Sequence, residues 1–410
     1  MSDALNQDPA PASAPDPASE AAAAAASKRM RRKRWRRRFF ALAFGCLLPL
    51  FLVECTVQVM WSKLVQPSET PLLRGTQTSL GRALIEESLR GPGDYIRSWG
   101  DAHPIYRADD QRSLRLKPNL DTTKELKAVP GGLVFKVTSD ARGLRGPAAP
   151  DPPPGQGLRV LCVGDSMTFG EGVDDEDTYP HQLERILAEK LQQPVRVYNA
   201  GVISLGQQEQ KDVVREFVPK LQPDLVLLQF TVANDVTDNW RWKDQPGPLR
   251  RRLDACETLE HHILLINPLA RWSRAYRLGI WRWGRHAIKY RYMVEEGNLA
   301  RSAKLLVELR DLVREVAGRE LPVGVLIAPS VVQVERGLAE ALLRTERINE
   351  GIRSRLKAAG VPVLDLLPAL RERADAGASL YIPVDRHWNA AGSRAVAEEL
   401  APFCRELLGG

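Results

Sequence analysis

A serine follows a short apolar segment at a position where its hydroxyl group could act as a nucleophile. Residues 158–164, LRVLCVG, have the composition of a buried strand, and Asp165 and Ser166 come directly after them. Polar residues at such a position usually form a tight turn. The stretch is not a G-x-S-x-G elbow, because Thr168 stands where the second glycine would be. A serine hydroxyl becomes a useful nucleophile only when a base takes its proton and a carboxylate orients that base.

A base and a carboxylate of this kind occur near the C-terminus, in the stretch PVDRHWNAAG. Asp385 precedes His387 by two positions, close enough to accept a hydrogen bond from the Nδ1–H of the imidazole ring. Asn234 follows another apolar segment, and its side-chain N–H could stabilise a developing oxyanion. The alternative interpretation is that Asp385 and Asn389 only cap the last helix and that Asn234 is a turn residue. Together with Ser166, these residues favour a Ser–His–Asp site.

Alternating strands and helices would bring these distant residues together. The strands are predicted at 158–164, 195–200, 224–230, 321–329 and 361–366, and the helices at 177–192, 208–222, 299–319, 335–360 and from near Asn389 onward. This alternation indicates a parallel sheet that is covered by helices on both faces. Because functional sites in such sheets gather at the carboxyl ends of the strands, we expect the serine, the asparagine and the histidine to meet there.

The order of these motifs resembles that of the sequence blocks of the SGNH/GDSL hydrolases. The blocks are Gly164-Asp165-Ser166, NAGVISLG at 199–206, Asn234-Asp235 and Asp385-Arg386-His387. The similarity extends over roughly 158–405 and is greatest to membrane-anchored bacterial members, in which a region such as SDARGLRG at 139–146 belongs to the same domain. The resemblance implies a flavodoxin-like three-layer α/β/α sandwich with a parallel five-stranded sheet.

The resemblance also implies a role for each site residue. Ser166 would be the nucleophile, His387 the general base and Asp385 the carboxylate that orients the base. The oxyanion hole would comprise the backbone N–H of Ser166, a backbone N–H from the second block and the side chain of Asn234.

Three positions differ from the usual family pattern. Ser204 stands where the second block has its glycine, and Gly201 or Gly206 is an alternative counterpart. Val232 occupies the glycine position of the Gly-x-Asn-Asp block. The carboxylate of the last block is two residues before the histidine, whereas three is common. Val232 and Ser204 support the rival interpretation of a non-catalytic glycan-binding or scaffold protein that keeps the fold.

The N-terminal 61 residues predict a membrane anchor. Residues 28–38 hold nine Lys or Arg, residues 39–53 carry no charge, and the apolar character resumes after Glu54 as far as Trp61. About 20 apolar residues cross a bilayer, and a basic flank stays in the cytoplasm. A cleaved signal peptide is the alternative. We expect a disordered basic cytoplasmic tail at 1–38, a transmembrane helix at 39–61, a stalk at 62–104 and an extracytoplasmic hydrolase domain at 105–410.

A basic, tryptophan-rich segment at about 240–300 interrupts the alternation. It holds five of the nine tryptophans and twelve Lys or Arg against six acidic residues. We expect a helical insert whose tryptophans either pack within the domain or contact an anionic glycan or lipid headgroups. The net charge of +7 does not predict a nucleic-acid partner, because nine basic and four acidic residues place +5 of it in residues 1–38.

The expected function is that of a serine esterase in the inner membrane, with its catalytic domain in the periplasm. It would act on O-acyl, especially acetyl, esters of cell-surface glycans, by hydrolysis or by acyl transfer. A lipid or thioester acylhydrolase is a further alternative. No cysteine, histidine or acidic cluster has ligand spacing, so we expect neither metal nor cofactor. The sequence leaves open the oligomeric state and whether Cys256 and Cys404 pair.

Overall fold

The computed structural model describes most of the chain from Pro104 onward. The described segments are 104–108, 114–126, 131–153, 155–239, 293–336, 344–383 and 385–409, with Val129 and a few isolated N-terminal positions. The predicted cytoplasmic tail, anchor and stalk otherwise lie outside these residues, as do positions 240–292 of the predicted insert. Within the described segments, no helix is both long and apolar enough to cross a membrane.

Two antiparallel strand pairs precede the main sheet. Strand β1 (Tyr106–Ala108) pairs with β2 (Leu114–Leu116), and β3 (Asp121–Leu126) pairs with β4 (Leu133–Thr138). Tyr106, Phe135 and Val137 from these pairs are buried in the same core as the main sheet. The backbone N–H of Arg145 also donates to the carbonyl of Asn199 at 3.0 Å. The region before the first strand of the main sheet is therefore packed directly against that sheet.

Five parallel strands form the main sheet, as the alternation predicts. They are β5 (Leu158–Gly164), β6 (Val195–Gly201), β7 (Leu225–Thr231), β8 (Val323–Ala328) and β9 (Val363–Asp365). Their spatial order is β6-β5-β7-β8-β9, and all neighbours are parallel. Counted from β5, this is the 2-1-3-4-5 order of flavodoxin-like sheets.

Helices cover both faces of the sheet. They are α1 (Ser166–Phe169), α2 (Tyr179–Leu191), α3 (Gln207–Leu221), α4 (Asp235–Asp238), α5 (Glu296–Ala317), α6 (Val331–Val334), α7 (Glu346–Ala358), α8 (Leu367–Asp375) and α9 (Ala390–Leu407). Alternate residues of each strand enter opposite cores. Val163 packs with α3, α5 and α7, whereas Cys162 packs with α2, α8 and α9. Two apolar cores on either side of one sheet make the predicted three-layer sandwich.

One predicted helix is confirmed only in its second half. Residues 335–360 do not form a single helix, because α6 ends at Val334 and α7 begins only at Glu346. Arg336 has φ +47°, in the left-handed region that continues neither a helix nor a strand. The sequence pattern also missed α8, whose apolar residues Leu367 and Leu370 are both buried.

Candidate active site

Ser166 lies at the carboxyl end of β5, at the edge of the sheet where sites are expected. Asp165 is the N-cap residue of α1, and its carboxylate accepts a hydrogen bond at 2.9 Å from a backbone N–H of the first turn. A Cβ atom at Gly164 would collide with the side chains of Thr168 and Gln229, so only glycine fits there. The tight turn and the presented hydroxyl are thus one feature rather than alternatives.

His387 and Asp385 complete a hydrogen-bonded chain with Ser166. The Nε2 atom of His387 lies 2.8 Å from Oγ of Ser166, and its Nδ1 atom lies 2.5 Å from Oδ1 of Asp385. The side chains of His387 and Asp385 are 24% and 12% exposed. These hydrogen bonds are therefore largely shielded from bulk water, although the imidazole ring is still partly exposed. The structure therefore brings together the three residues that the sequence singled out.

A tight turn holds His387 ahead of the last helix. The backbone N–H of Ile382 donates to the carbonyl of His387 at 2.8 Å, and that of Arg386 donates to the carbonyl of Ile382 at 3.0 Å. Arg386 has φ +76°, which closes the turn. Asn389 is the N-cap of α9, as one interpretation of the sequence expects, whereas the side chain of Asp385 contacts the imidazole.

The charges around the imidazole favour its protonated form. Burial acts to lower the pKa of His387, but the hydrogen bond and charge of Asp385, with the charges of Glu171 and Asp165, outweigh burial and raise that pKa. Burial acts to raise the pKa of Asp385, but the hydrogen bonds and charge of His387, with the charge of Lys124, hold it below its usual value. Asp385 therefore stays ionised and strengthens His387 as a base.

Asn234 lies beside the nucleophile turn, at the end of β7. Its Nδ2 group donates to Oδ2 of Asp165 at 3.1 Å and to Oδ2 of Asp238 at 2.6 Å. Both amide hydrogens thus have carboxylate acceptors in this structure. An oxyanion would have to replace one of these carboxylates to receive a hydrogen bond from Asn234.

A buried acidic group supports this corner of the site. Asp235 is fully buried, and its Oδ2 atom accepts hydrogen bonds from the backbone N–H of Thr231 at 2.7 Å and from Nε2 of Gln207 at 2.6 Å. Burial, together with the charges of Asp165 and Asp238, raises the pKa of Asp235 well above its usual range. Asp235 therefore takes up a proton more readily than an exposed carboxylate would.

The second sequence block offers three candidate oxyanion donors. The N–H of Gly201 already donates to Oδ1 of Asn199 at 3.0 Å. Ser204 has φ +57°, the left-handed conformation that favours glycine, and its N–H has no acceptor within the described segments. Gly206 has an ordinary φ of −77° as the N-cap of α3. Ser204 therefore has the backbone conformation expected where the family carries glycine.

Val232 departs from the family pattern, and its side chain lies in the core. Its side chain is fully buried in the core, and its N–H donates to the carbonyl of Ala328 at 3.0 Å. The valine thus extends the contact between β7 and β8 and fills space in the core.

Sequence reasoning missed an arginine that binds the loop after the nucleophile. This nucleophile loop comprises residues 170–178, between α1 and α2. The side chain of Arg145 is fully buried and forms an ion pair with Asp175 at 2.9 Å. It also donates to the backbone carbonyls of Phe169, Gly170 and Val173 at 2.5–2.6 Å. The stretch SDARGLRG contains Arg145 and was the available signal, but its pattern does not indicate which carbonyls the side chain would bind.

A second missed feature is the ion pair between Lys124 of β3 and Glu171, whose charged atoms lie 2.5 Å apart. No motif connects these residues in the sequence, because the pair forms between the β3–β4 hairpin and the loop after α1. The positive charge of Lys124 acts to lower the pKa of Asp385, and the negative charge of Glu171 acts to raise the pKa of His387.

The described part of the chain holds no group of three or more His, Cys, Asp or Glu side chains placed to bind a metal ion. Cys404 is a free, buried thiol, and burial raises its pKa to about 12. Cys256 lies outside the described residues.

Several solved structures of low sequence identity are similar to this chain. A lipolytic protein of the G-D-S-L family from Veillonella parvula is 15% identical, with a TM-score of 0.36 over 60% of this chain and 99% of that one. A lipase/acylhydrolase from Enterococcus faecalis is 14% identical, with a TM-score of 0.36 over 62% and 96%. A catalytic mutant of an acetylxylan esterase from Geobacillus stearothermophilus is 15% identical, with a TM-score of 0.36 over 61% and 94%. No curated protein sequence matches the chain.

The sequence pattern of a known family covers the site and most of the sheet. The GDSL-like lipase/acylhydrolase pattern matches residues 162–395, which is more than half of the 410 residues. The match includes Ser166, Asn234, Asp385 and His387. This chain belongs to the GDSL-like lipase/acylhydrolase family.

Proposed function

We propose that the protein is a serine esterase in which Ser166 is the nucleophile, His387 the general base and Asp385 the carboxylate that orients the imidazole. The observation that carries the proposal is the hydrogen-bonded chain from Asp385 through His387 to Ser166, with distances of 2.5 and 2.8 Å. This geometry supplies both requirements of an activated serine, a base within reach and an oriented ring.

The reaction proceeds through an acyl-enzyme. Oγ of Ser166 attacks the ester carbonyl while Nε2 of His387 takes the hydroxyl proton, and Asp385 stabilises the resulting imidazolium. The tetrahedral intermediate collapses, and His387 returns the proton to the departing alcohol. A water molecule or a second hydroxyl group then attacks the acyl-enzyme with His387 again as base. Water gives hydrolysis, and an acceptor hydroxyl gives acyl transfer.

The proposed oxyanion hole comprises the backbone N–H groups of Ser166 and Ser204 and the side chain of Asn234. Two observations support the assignment of Ser204: its N–H has no acceptor within the described segments, and its backbone is left-handed. Asn234 contributes when its Nδ2 group exchanges Asp165 or Asp238 for the developing oxyanion. Such donors act by stabilising charge that appears only in the transition state.

The proposed substrates are O-acyl, chiefly acetyl, esters of cell-surface glycans. The proposed location is the inner membrane, with residues 39–61 as the anchor, the N-terminus in the cytoplasm and the catalytic domain in the periplasm. The uncharged run that follows nine basic residues supports the anchor and its orientation. The basic, tryptophan-rich composition of 240–300 supports contact with an anionic glycan.

Turnover of p-nitrophenyl acetate by the full-length protein tests the activity. We expect Ser166→Ala and His387→Ala each to lower kcat by at least about 10³-fold. Ser354→Ala, on the exposed face of α7, is the matched control and should retain full activity. Unchanged turnover in Ser166→Ala would contradict the proposal. A folded wild-type protein without turnover would favour the glycan-binding alternative.

Substrate class and location need separate measurements. A preference for acetyl over long-chain p-nitrophenyl esters is expected, and the reverse preference would favour a lipid acylhydrolase.

The proposed orientation in the membrane is tested with a reporter enzyme that is active only outside the cytoplasm. This reporter should be active when it is fused after Gly410. An inactive reporter on a stable fusion would contradict the proposed orientation.

A further inference from the structure

The β3–β4 hairpin places a lysine against the loop that follows the nucleophile. Nζ of Lys124 lies 2.5 Å from Oε1 of Glu171, and the two side chains are 23% and 7% exposed. The ammonium group also lies 5.9 Å from the ring centroids of Tyr106, Phe135 and Phe169. This ion pair is therefore largely shielded from water, and its charges act over a longer range than those of a surface pair.

Short contacts connect the Lys124–Glu171 ion pair to the segments that carry Ser166 and His387. The backbone N–H of Glu171 donates to the carbonyl of Ser166 at 3.0 Å. A Cβ atom at the adjacent Gly172 would run into Ile382 and the hairpin residue Leu126. Ile382 in turn donates its N–H to the carbonyl of His387. The hairpin, the loop after the nucleophile and the turn that carries the base thus meet at one point.

The carboxylate of Glu171 is hydrogen-bonded through one of its two oxygens. Its Oε1 atom pairs with Lys124, whereas its buried Oε2 atom has no hydrogen-bond partner within the described segments. The buried guanidinium of Arg145 also acts on the charge of Glu171, but Lys124 is the hydrogen-bonded counter-ion. The negative charge of Glu171 raises the pKa of His387, and the positive charge of Lys124 lowers that of Asp385. Asp385 on the same turn and Asp165 before the nucleophile also carry negative charges that raise the pKa of His387.

We infer that Lys124 and Glu171 form a positioning pair, through which the hairpin holds the nucleophile loop and sets the balance of charge beside His387. The electrostatic part of this inference stands on the structure alone, and its consequence for catalysis rests on the proposed function. Because His387 must be neutral to act as a base, the pair sets the pH range over which the site is active.

Titration of His387 by NMR tests the pair without relying on activity. The full-length protein is labelled at histidine, and the His387→Ala variant identifies the signal. We expect Glu171→Gln to lower the titration midpoint of His387 by roughly 0.5–1 pH unit, because a negative charge is removed. Lys124→Met should raise the midpoint, because the positive charge that is paired with Glu171 is removed. Glu308→Gln, which breaks the distant Lys211–Glu308 pair, should leave it unchanged.

The outcomes separate this inference from the proposed function. Identical His387 midpoints in the wild type and both variants of the pair would overturn the inference. If Glu171→Gln does not fold, Lys124→Met decides alone, since its side chain is partly exposed. The acid limb of kcat/KM should follow the NMR midpoints. Shifted midpoints in a protein without ester turnover would uphold the inference and contradict the proposed function.

Discussion

Nε2 of His387 lies 2.8 Å from Oγ of Ser166, although 221 positions separate these residues in the chain. The fold produces this contact by placing both residues at one edge of the sheet. Ser166 follows β5, and His387 precedes α9, which packs on the same face of the sheet as α2. The contact depends on the whole sandwich rather than on local sequence.

The carboxylate of Asp385 should be needed to orient the base. Asp385→Asn keeps the shape of the side chain but removes the charge that stabilises the imidazolium, so we expect kcat to fall by roughly 10³–10⁴-fold. The measurement is steady-state ester hydrolysis, with Asp375→Asn on the protein surface as the control. A loss of less than tenfold would show that Asp385 does not have this role.

The raised pKa of His387 determines the acid side of the pH profile. The base is active only when neutral, so kcat/KM should fall as the pH drops through a midpoint above 6.5, the ordinary value for histidine. Protonated His387 contributes to the stability of the folded protein with the opposite pH dependence. This contribution is complete below the pKa that the histidine has in the unfolded chain, and it is lost as the pH rises through the higher pKa of His387 in the folded protein. A kcat/KM profile with its acid midpoint below 6.5 would be inconsistent with these charges.

Asn234 should contribute to the transition state rather than to substrate binding. We expect Asn234→Ala to lower kcat by about 10²–10³-fold and to change KM little, as for the loss of one oxyanion donor. Thr237→Ala, which removes the neighbouring hydroxyl that donates to the carbonyl of Asn234, is the control for local disturbance. A large rise in KM with unchanged kcat would assign Asn234 to ground-state binding instead.

Arg145 should be essential for stability. Arg145→Met leaves the buried carboxylate of Asp175 without its ion-pair partner and removes the guanidinium donor from the carbonyls of Lys136, Phe169, Gly170 and Val173. We therefore expect the free energy of unfolding to fall by about 3–5 kcal/mol. Urea denaturation measures the change. Arg394→Met, which breaks an exposed pair with Glu398, should cost less than about 1 kcal/mol. Equal effects of the two substitutions would contradict the conclusion that Arg145 stabilises the fold through its buried contacts.

Regular patterns made much of the fold predictable from the sequence. The apolar segment at 158–164 coincides with β5, and the predicted helix at 177–192 contains α2, because both elements bury residues at the spacing that their geometry requires. Ser166, Asp385 and His387 were identifiable because their residue types occur in the order of known sequence blocks.

Contacts between distant segments were not predictable in the same way. Lys124 meets Glu171 only because the hairpin folds over the nucleophile loop, and the sequence carries no periodic signal for that contact. The contact of Asn234 with Asp165, which lies 69 positions earlier in the chain, depends equally on tertiary packing. The predicted helix at 335–360 is confirmed only over α7, because helical composition does not reveal left-handed residues such as Arg336 and Arg344.

Covalent labelling of the nucleophile tests the central claim most directly. The full-length protein would be treated with a fluorophosphonate, which reacts with activated serines, and the modified peptide would be located by mass spectrometry. The proposed mechanism predicts a single label on Ser166 that disappears in His387→Ala. A label on another serine, or none on a folded wild-type protein, would contradict the assignment of Ser166 as the nucleophile.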